Sequence, residues 1–196
     1  MTTAPQPPPG GRPDRTQAVL QATLDLAQEV GYAKLSIEAI TARAGVGKHT
    51  VYRRWPSKGH VFLDALLSKL QTNLGYPDTG DIVADLRTQM NAARSLLGEE
   101  KFGTLYAALV GEAQHDPAIA RALHERWIEP LTVGTRGRLR KAQEAGQLRS
   151  DVDLEVVIAM LYGPLYYRFL LIPGQYDAAF VDAVLEAAFA GLRPPD

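Results

Sequence analysis

The chain has 196 residues, of which 46% are hydrophobic, with 21 basic and 22 acidic side chains. This apolar content is sufficient for a packed core and excludes a wholly disordered chain. The absence of cysteine excludes disulfides and thiolate chemistry and fits a reducing compartment. The N-terminus has no apolar signal segment, and the longest uncharged apolar stretch, 156–167, is shorter than the roughly 18 residues that span a bilayer. A soluble, cytoplasmic protein without membrane contact is therefore expected.

Residues 1–13 form a proline-rich arm, which is predicted to lie outside any helix or core. Arg12, and Arg15 just beyond the arm, suit contacts with a DNA groove or phosphate, although a free tail is the simpler interpretation. The segment 14–30 is predicted to form the first helix, because apolar residues recur in it at helical spacing. Asp14 is expected to cap this helix, and Gly31 to end it.

Residues 35–58 have the pattern of a short helix, a glycine turn and a second short helix. Ser36 is expected to cap the first of these helices, because its hydroxyl can accept a hydrogen bond from a free backbone amide. Ile37, Ile40 and Ala44 lie three and four residues apart and form the expected buried face of that helix.

The turn contains Gly45, which provides the backbone freedom to leave the helix, and Val46, which is expected to fill the corner. The second helix is predicted over 47–55, with Val51 and Trp55 on its inward face. Its other side chains include no acid and are left for the outside: Lys48, His49, Thr50, Tyr52, Arg53 and Arg54.

Positive charge is concentrated in this part of the chain. Between Gly31 and His60 there are six Lys or Arg residues and one acid, for a net charge of +5. The remainder carries 15 basic and 21 acidic residues, for a net charge of −6. A basic module in a nearly neutral protein indicates contact with phosphates at that module.

Helical periodicity continues to the end of the chain, and no stretch alternates convincingly like a strand. Ser57 is expected to cap a long connecting helix over 57–74. Five more helices are predicted over 80–97, 99–115, 117–145, 153–172 and 177–192. The expected fold is all-α, with a helix-turn-helix domain over 14–60 that continues into the connecting helix and a second domain over 78–196.

The chain resembles the TetR family of bacterial transcriptional repressors over the block from Val19 to Leu66. The motif residues that carry the resemblance are Gly31, Ile40, Ala44-Gly45-Val46, Thr50-Val51-Tyr52, the aromatic Trp55, and Ser57-Lys58. The resemblance implies about nine helices, a homodimer, double-stranded operator DNA as a partner, and a C-terminal domain that dimerises and senses a small molecule.

By position in that family, Ser36 lies near the DNA backbone at the start of helix 2. The resemblance implies that helix 3 presents Lys48, His49, Thr50 and Tyr52 to the major groove and the flanking phosphates. It also implies that Lys58 binds a phosphate at the start of helix 4. The chain departs from the family pattern at Gly47, which replaces a capping Ser or Thr, at Gly59-His60, where an acid is common, and at His49, where a small residue is common.

Several candidate DNA contacts have alternatives. Arg43, late in helix 2, is a candidate for a phosphate contact. Arg53 suits guanine or phosphate, but Arg53 and Arg54 cannot both face the groove, because successive helical residues diverge by roughly 100°. Tyr52 can instead be half-buried core, and Lys58 an ordinary solvated lysine.

Two C-terminal helices are apolar on several sides, which predicts burial on several sides. They are expected to form a four-helix dimer interface with their copies, and intrachain core is the alternative. The proposed interface residues are Val156, Met160, Gly163, Tyr167, Phe180, Val184, Leu185 and Ala188. Gly163-Pro164 is expected to kink its helix.

Aromatic and apolar residues in the second domain suggest a cavity for a small organic effector, although each residue singly is more often core. The proposed pocket residues are Met90, Phe102, Tyr106, Leu109, Trp127, Tyr162 and Tyr166. No metal and no cofactor are expected, because His115-Asp116 and His124 form only a weak ligand pattern.

The expected function is dimeric, sequence-specific repression of transcription that a small apolar or amphipathic molecule relieves. The alternatives are an activator or ligand-independent regulator, and a helical carrier or enzyme whose basic module is incidental. No serine-nucleophile motif, phosphate loop or acid pair points to catalysis.

Overall fold

The computed structural model describes residues 15–68, 77–174 and 176–194, and every regular element in these ranges is helical. The predicted arm 1–13, the cap at Asp14 and the last part of the predicted connecting helix, 69–74, lie outside them. The chain divides into two compact units, Met1–Ser68 and Lys69–Asp196. The all-α fold predicted from periodicity is confirmed.

Residues 15–68 of the first unit form four helices and a short 3-10 turn. They are α1 (Arg15–Val30), the 3-10 turn (Tyr32–Lys34), α2 (Ile37–Ala44), α3 (Lys48–Tyr52) and α4 (Lys58–Ser68). Helix α1 packs against both α2 and α4, while α3 contacts α2.

Local chemistry accounts for the corner between α2 and α3. The Ser36 hydroxyl accepts a hydrogen bond from the Ala39 amide at 3.1 Å, as its position predicts. Gly45 ends α2 in the left-handed conformation, with φ of 65°, where a side chain would be strained. Ile40 is fully buried and Val46 is half-buried at the turn. Helix α3 ends at Tyr52, earlier than the predicted Trp55, and the chain turns there towards α4.

Trp55 joins this turn to α4. Its ring is only 3% exposed, and its indole N–H donates a hydrogen bond to the Asp64 carboxylate at 2.7 Å. Val51, on α3, and Phe62, on α4, are fully buried in the same unit. The structure therefore confirms that Trp55 is a core anchor.

The second unit consists of helices that follow one another closely. They are α5 (Ile82–Gly98), α6 (Glu100–Ala113), α7 (Pro117–Leu123), a π-helical turn (His124–Ile128), α8 (Glu129–Glu144), α9 (Leu154–Leu171) and α10 (Ala178–Leu192). Segments α7, the π turn and α8 are continuous, so the helix predicted over 117–145 is one helical run with a local bulge. Helix α9 extends through Pro164.

Aspartate side chains cap four of these helices by accepting hydrogen bonds from free amides. The caps are Asp81, Asp116, Asp153 and Asp177. Helices α5, α8, α9 and α10 enclose the main core of the unit. Its fully buried side chains include Leu86, Met90, Leu139, Leu161 and Val181.

A buried ion pair joins α5 to α8. Asp85 is 0% exposed and Arg138 is 6% exposed, with 2.6 Å between the carboxylate Oδ2 and the guanidinium Nη2. Thr79 also donates from its hydroxyl to Asp85 at 2.7 Å. Burial acts to raise the pKa of Asp85, but the hydrogen bonds from Thr79 and Arg138 outweigh it and hold that pKa below the usual 3.8. The stability that this adds is complete above pH 3.8 and is lost as the pH falls through the lower, folded-state pKa.

Replacing Trp55 with Ala is expected to lower the free energy of unfolding by about 3–5 kcal/mol, since it leaves a large cavity. Trp55→Phe keeps an aromatic ring at this position but loses the hydrogen bond to Asp64 and part of the indole packing, for a smaller expected loss of about 1–3 kcal/mol. Urea unfolding followed by circular dichroism measures both. Equal stability of Trp55→Ala and the wild type would contradict the anchor role.

Arg138→Met is expected to destabilise the protein by about 3–5 kcal/mol, because Asp85 stays buried without its cation. The double variant Asp85→Asn/Arg138→Met removes both charges and keeps an acceptor for Thr79, so it should be more stable than Arg138→Met alone. Urea unfolding of the wild type and both variants tests this order of stability. A double variant that is less stable than the single one would show that charge pairing is not the cause.

Candidate nucleic-acid interface and C-terminal cavity

Helix α3 presents a polar face to solvent. Lys48, His49, Tyr52 and Arg53 are exposed, and Thr50 is half-buried. The side chain of Tyr52 is 51% exposed, which favours a surface role over the alternative that it belongs to the core. The face carries hydroxyl, imidazole and cationic groups, all of which suit contacts with phosphates or base edges.

Two of the predicted DNA contacts form ion pairs within the unit. Lys48 Nζ lies 2.7 Å from a carboxylate oxygen of Glu38, and Arg43 Nη2 lies 2.8 Å from one of Glu29. The hydrogen bond from Lys48 lowers the pKa of Glu38, and the one from Arg43 lowers the pKa of Glu29. All four groups are exposed, so solvent screens these pairs and a phosphate can compete for the cations.

The structure distinguishes the two adjacent arginines. Arg54 donates to the Thr16 hydroxyl at 3.1 Å, and its guanidinium lies 5.3 Å from the centre of the Trp55 ring. Arg53 is exposed and makes no ion pair or hydrogen bond with any residue in the described ranges. Arg53 is therefore the arginine available for a new partner.

Arg15 and Thr16, at the start of α1, join this surface. With Thr50, Arg53 and Arg54 they surround one depression beside the Trp55 ring. The sequence indicated Arg15 only as a possible contact near the arm. Periodicity could not show that the start of α1 lies beside the end of α3.

Lys58, the first residue of α4, is held by Tyr32. Its ammonium donates to the Tyr32 carbonyl at 3.3 Å and lies 4.5 Å from the centre of that ring. This contact differs from the alternative of an ordinary solvated lysine, and the phosphate contact of Lys58 stays a prediction. The ammonium has three hydrogens and the carbonyl takes one, so Lys58 retains donors for a phosphate.

The departures from the family pattern have local consequences. Gly47 precedes α3 without any side-chain capping bond. At the start of α4, the Ser57 hydroxyl and the His60 Nδ1 are 2.9 Å apart, so a histidine takes the position where an acid is common. Both helices still form, α3 without a side-chain cap and α4 with a Ser57–His60 contact at its start.

The second unit contains a cavity of about 320 Å³ between α5, α8 and α9. Its lining residues are Gln89, Ala93, Leu96, Leu97, Trp127, Ile128, Leu131, Thr132, Thr135, Ile158, Ala159, Tyr162, Gly163, Leu165 and Tyr166. None of these side chains carries a charge at neutral pH. The volume is at the lower end of the range for small-molecule sites.

The predicted pocket residues fall into two groups. Trp127, Tyr162 and Tyr166 line this cavity. The other four do not line it, and all are buried: Met90, Phe102, Tyr106 and Leu109. They belong to the packed interior, because helical spacing alone cannot separate a core position from a cavity position.

The buried aromatic rings stand behind the cavity and support it. Tyr106 stacks on Phe102 and Phe169 with centroid distances of 5.6 and 6.1 Å, and its ring lies 6.3 Å from Trp127. The hydroxyl groups of Tyr106 and Tyr166 are 3.0 Å apart. Burial raises the pKa of both tyrosines, so both remain neutral at physiological pH.

The predicted dimer residues also divide into two groups. Val156, Met160, Gly163 and Tyr167 are exposed along one stripe of α9. On α10, Phe180 and Val184 are partly buried, while Leu185 and Ala188 are buried in the core of the chain. Leu185 and Ala188 therefore belong to the core within one chain, which was the alternative to the dimer interface. The exposed face of α10 consists largely of alanine: Ala179, Ala183, Ala187 and Ala190.

Two family models match the chain. The model of bacterial regulatory proteins of the tetR family covers residues 19–65, and the model of the tetracyclin repressor-like C-terminal domain covers residues 76–188. The chain belongs to the TetR family. It is a DNA-binding transcriptional regulator.

Individual relatives agree with this assignment. An uncharacterized HTH-type transcriptional regulator, YdeS of Bacillus subtilis, is 35% identical over 90% of this chain and 89% of its own length. The DNA-binding transcriptional repressor TetR of Mycobacteroides abscessus is 27% identical over 92% of this chain and 95% of its own. The crystal structure of the TetR family transcription regulator SCO0332 superposes with a TM-score of 0.73 at 35% identity, over 92% of this chain and 100% of that one.

Two further observations concern metals and membranes. The described residues contain no group of three or more His, Cys, Asp or Glu side chains placed to hold a metal ion. Among the described residues, one helix, α9, has the length and apolar composition that could cross a membrane, with a mean hydropathy of 1.4 over its 18 residues. This helix packs against α5, α8 and α10 within the second unit, and 17% of its residues are buried there.

Proposed function

We propose that this regulator is a homodimeric repressor that binds a near-palindromic operator and is released by a small, largely apolar effector. The observation that carries the proposal is the exposed, acid-free face of α3 in a chain that also holds an uncharged cavity. Since the target is chromosomal DNA, we place the protein in the cytoplasm. Repression follows if the bound dimer blocks a promoter, and release follows if the effector favours a conformer that binds DNA less tightly.

Helix α3 is the proposed reading helix. His49, Tyr52 and Arg53 are its exposed candidates for the major groove, and Thr50 is positioned at its edge. Arg43 and Lys48 bind DNA phosphates in place of their carboxylate partners on the protein surface. Ser36 and Lys58 contact the DNA backbone from the starts of α2 and α4. A twofold dimer presents two such helices, and successive major grooves on one face of DNA are about 34–36 Å apart.

The proposed dimer interface combines the exposed stripe of α9 with the alanine face of α10. Val156 is 55% exposed, Met160 is 45% exposed and Tyr167 is 56% exposed. A contiguous apolar stripe of this kind is costly in water and marks an interface. Small residues on α10 allow close approach of a helix from the second copy.

Arg53→Ala is expected to weaken operator binding, because it removes an unpaired exposed cation from the reading helix. If Arg53 neutralises a phosphate, the magnitude of the slope of log affinity against log salt falls by about 0.9 for that phosphate, and binding weakens equally on all sequences. If it reads guanine, binding weakens by about 1–3 kcal/mol on the operator alone. The operator is first selected from random DNA with the purified protein, and gel shift then measures both quantities.

Arg140→Ala is the matched control, because Arg140 is an exposed arginine on α8 in the other unit. Lys58→Ala is measured in parallel and is expected to act uniformly across sequences. Equal affinity and salt slope in Arg53→Ala, Arg140→Ala and the wild type would remove Arg53 from the interface. Failure to select any sequence with folded protein would count against the DNA-reading surface as a whole.

Val156→Lys is expected to shift the protein from dimer to monomer at micromolar concentration, because it places two ammonium groups in an apolar contact. Val133→Lys is the matched control, since Val133 is 52% exposed on α8, outside the proposed interface. Light scattering after size exclusion measures the mass of each. A wild type that is monomeric, or two variants that behave alike, would contradict the α9 interface.

A further inference from the structure

Gln89 contributes a buried hydrogen-bond donor to the cavity. Its residue is 3% exposed, and it lines the cavity from α5. The Gln89 Oε1 accepts a hydrogen bond from the Tyr162 hydroxyl. No residue in the described ranges accepts a hydrogen bond from the Gln89 Nε2, so its two N–H groups lack a protein partner there. An amide N–H that lines a cavity and has no protein partner is available to donate a hydrogen bond to a ligand atom.

The remainder of the cavity disfavours a charged ligand. Its polar lining groups are an amide, threonine hydroxyls, tyrosine hydroxyls and the Trp127 indole, and no basic or acidic residue is among the described residues of the lining. The raised pKa of Tyr166 keeps that phenol neutral. Moving an ion from water into such a site is costly without a counter-charge. The nearby buried ion pair, Asp85 with Arg138, is already satisfied internally.

The composition of the lining favours an aromatic ligand. Trp127 and Tyr166 contribute aromatic rings, and Leu131 and Ile158 contribute aliphatic surface. The rings are held in position by the buried Tyr106, which lies 6.3 Å from both Trp127 and Tyr166. Aromatic groups stack against such rings with a gain beyond simple burial.

We propose that the effector is an uncharged aromatic compound with a carbonyl-type oxygen, and that this oxygen accepts a hydrogen bond from the Gln89 amide. The inference rests on the effector cavity of the function proposed above and adds its chemical selectivity. Gln89 provides the donor, the rings provide the stacking surface, and the absence of a cation among the described lining residues excludes carboxylates.

Three probes with one ring system separate these contributions. They are naphthalene, which has no acceptor, 2-acetylnaphthalene, which is neutral and has a carbonyl, and 2-naphthoate, which is an anion at pH 7. Isothermal titration calorimetry on the full-length protein at pH 7 measures each affinity. We expect 2-acetylnaphthalene to bind about five- to tenfold more tightly than naphthalene. We expect 2-naphthoate to bind more weakly than the ketone by at least about 100-fold.

Gln89→Met tests the donor with little change in side-chain volume. The variant should abolish the five- to tenfold advantage of 2-acetylnaphthalene, while naphthalene binds as before within about twofold. A purely structural role for Gln89 would lower both affinities together. Gln114→Met is the matched control, since Gln114 is exposed at the end of α6 and does not line the cavity.

Each result decides for or against the proposal. A ketone advantage that disappears only in Gln89→Met supports it. Equal binding of 2-naphthoate and the ketone, a ketone advantage that survives Gln89→Met, or no binding of any probe up to its solubility overturns it. Gel shift with the same preparation shows whether operator binding is intact, so failure of this inference is distinguished from failure of the DNA-binding function.

Discussion

Helix α9 is apolar around most of its circumference, and the rest of the second unit can cover only part of it. One side is buried in the core through Val157, Leu161 and Leu165. A second side borders the cavity through Ile158 and Tyr162, among others. The third side stays exposed in the single chain. Because apolar surface is costly in water, this composition suits a helix that contributes to a core, to an apolar cavity and to the dimer interface proposed above. The sensing and dimerisation proposed for the second unit therefore share one physical basis.

In the N-terminal unit many cations lie close together, and they repel one another in the absence of DNA. Surface carboxylates pair with Lys48 and Arg43. Lys58 contacts the aromatic ring of Tyr32 and donates a hydrogen bond to its carbonyl oxygen. These contacts are exposed or half-buried, so screening weakens them and a phosphate can replace them. The rigid part of the unit is apolar instead, built on Ile40 and Trp55. Fixed apolar packing with exchangeable charge contacts is a suitable arrangement for a surface that binds and releases DNA.

Features that depend on local sequence were predictable. The Ser36 cap, the Gly45 turn, the burial of Trp55 and the approximate helix boundaries all follow from capping chemistry and helical period. Contacts between distant residues were not, since spacing carries no information about which helix lies opposite. The Lys58 contact with Tyr32 and the place of Arg15 beside Arg53 are of this kind. Core and cavity positions share one period as well, so Met90 and Tyr106 could not be told apart from Trp127 and Tyr162 by pattern.

The position of α8 brings the cavity and the buried ion pair onto one rigid element. Leu131 and Thr135 line the cavity, and Arg138 follows within the next turn and pairs with Asp85. Asp85 in turn accepts a hydrogen bond from the Thr79 hydroxyl. The side-chain oxygen of Gln147, just after α8, accepts a hydrogen bond from the Ile82 amide at 3.0 Å. The segment before α5 is therefore tied to the same helix that lines the proposed effector cavity. An effector can act only through a difference in affinity between two conformers. For the effector proposed above, we expect a ligand that prefers one position of α8 to favour the matching position of this segment, because moving α8 alone would separate a buried charge from its partner, a cost of several kcal/mol.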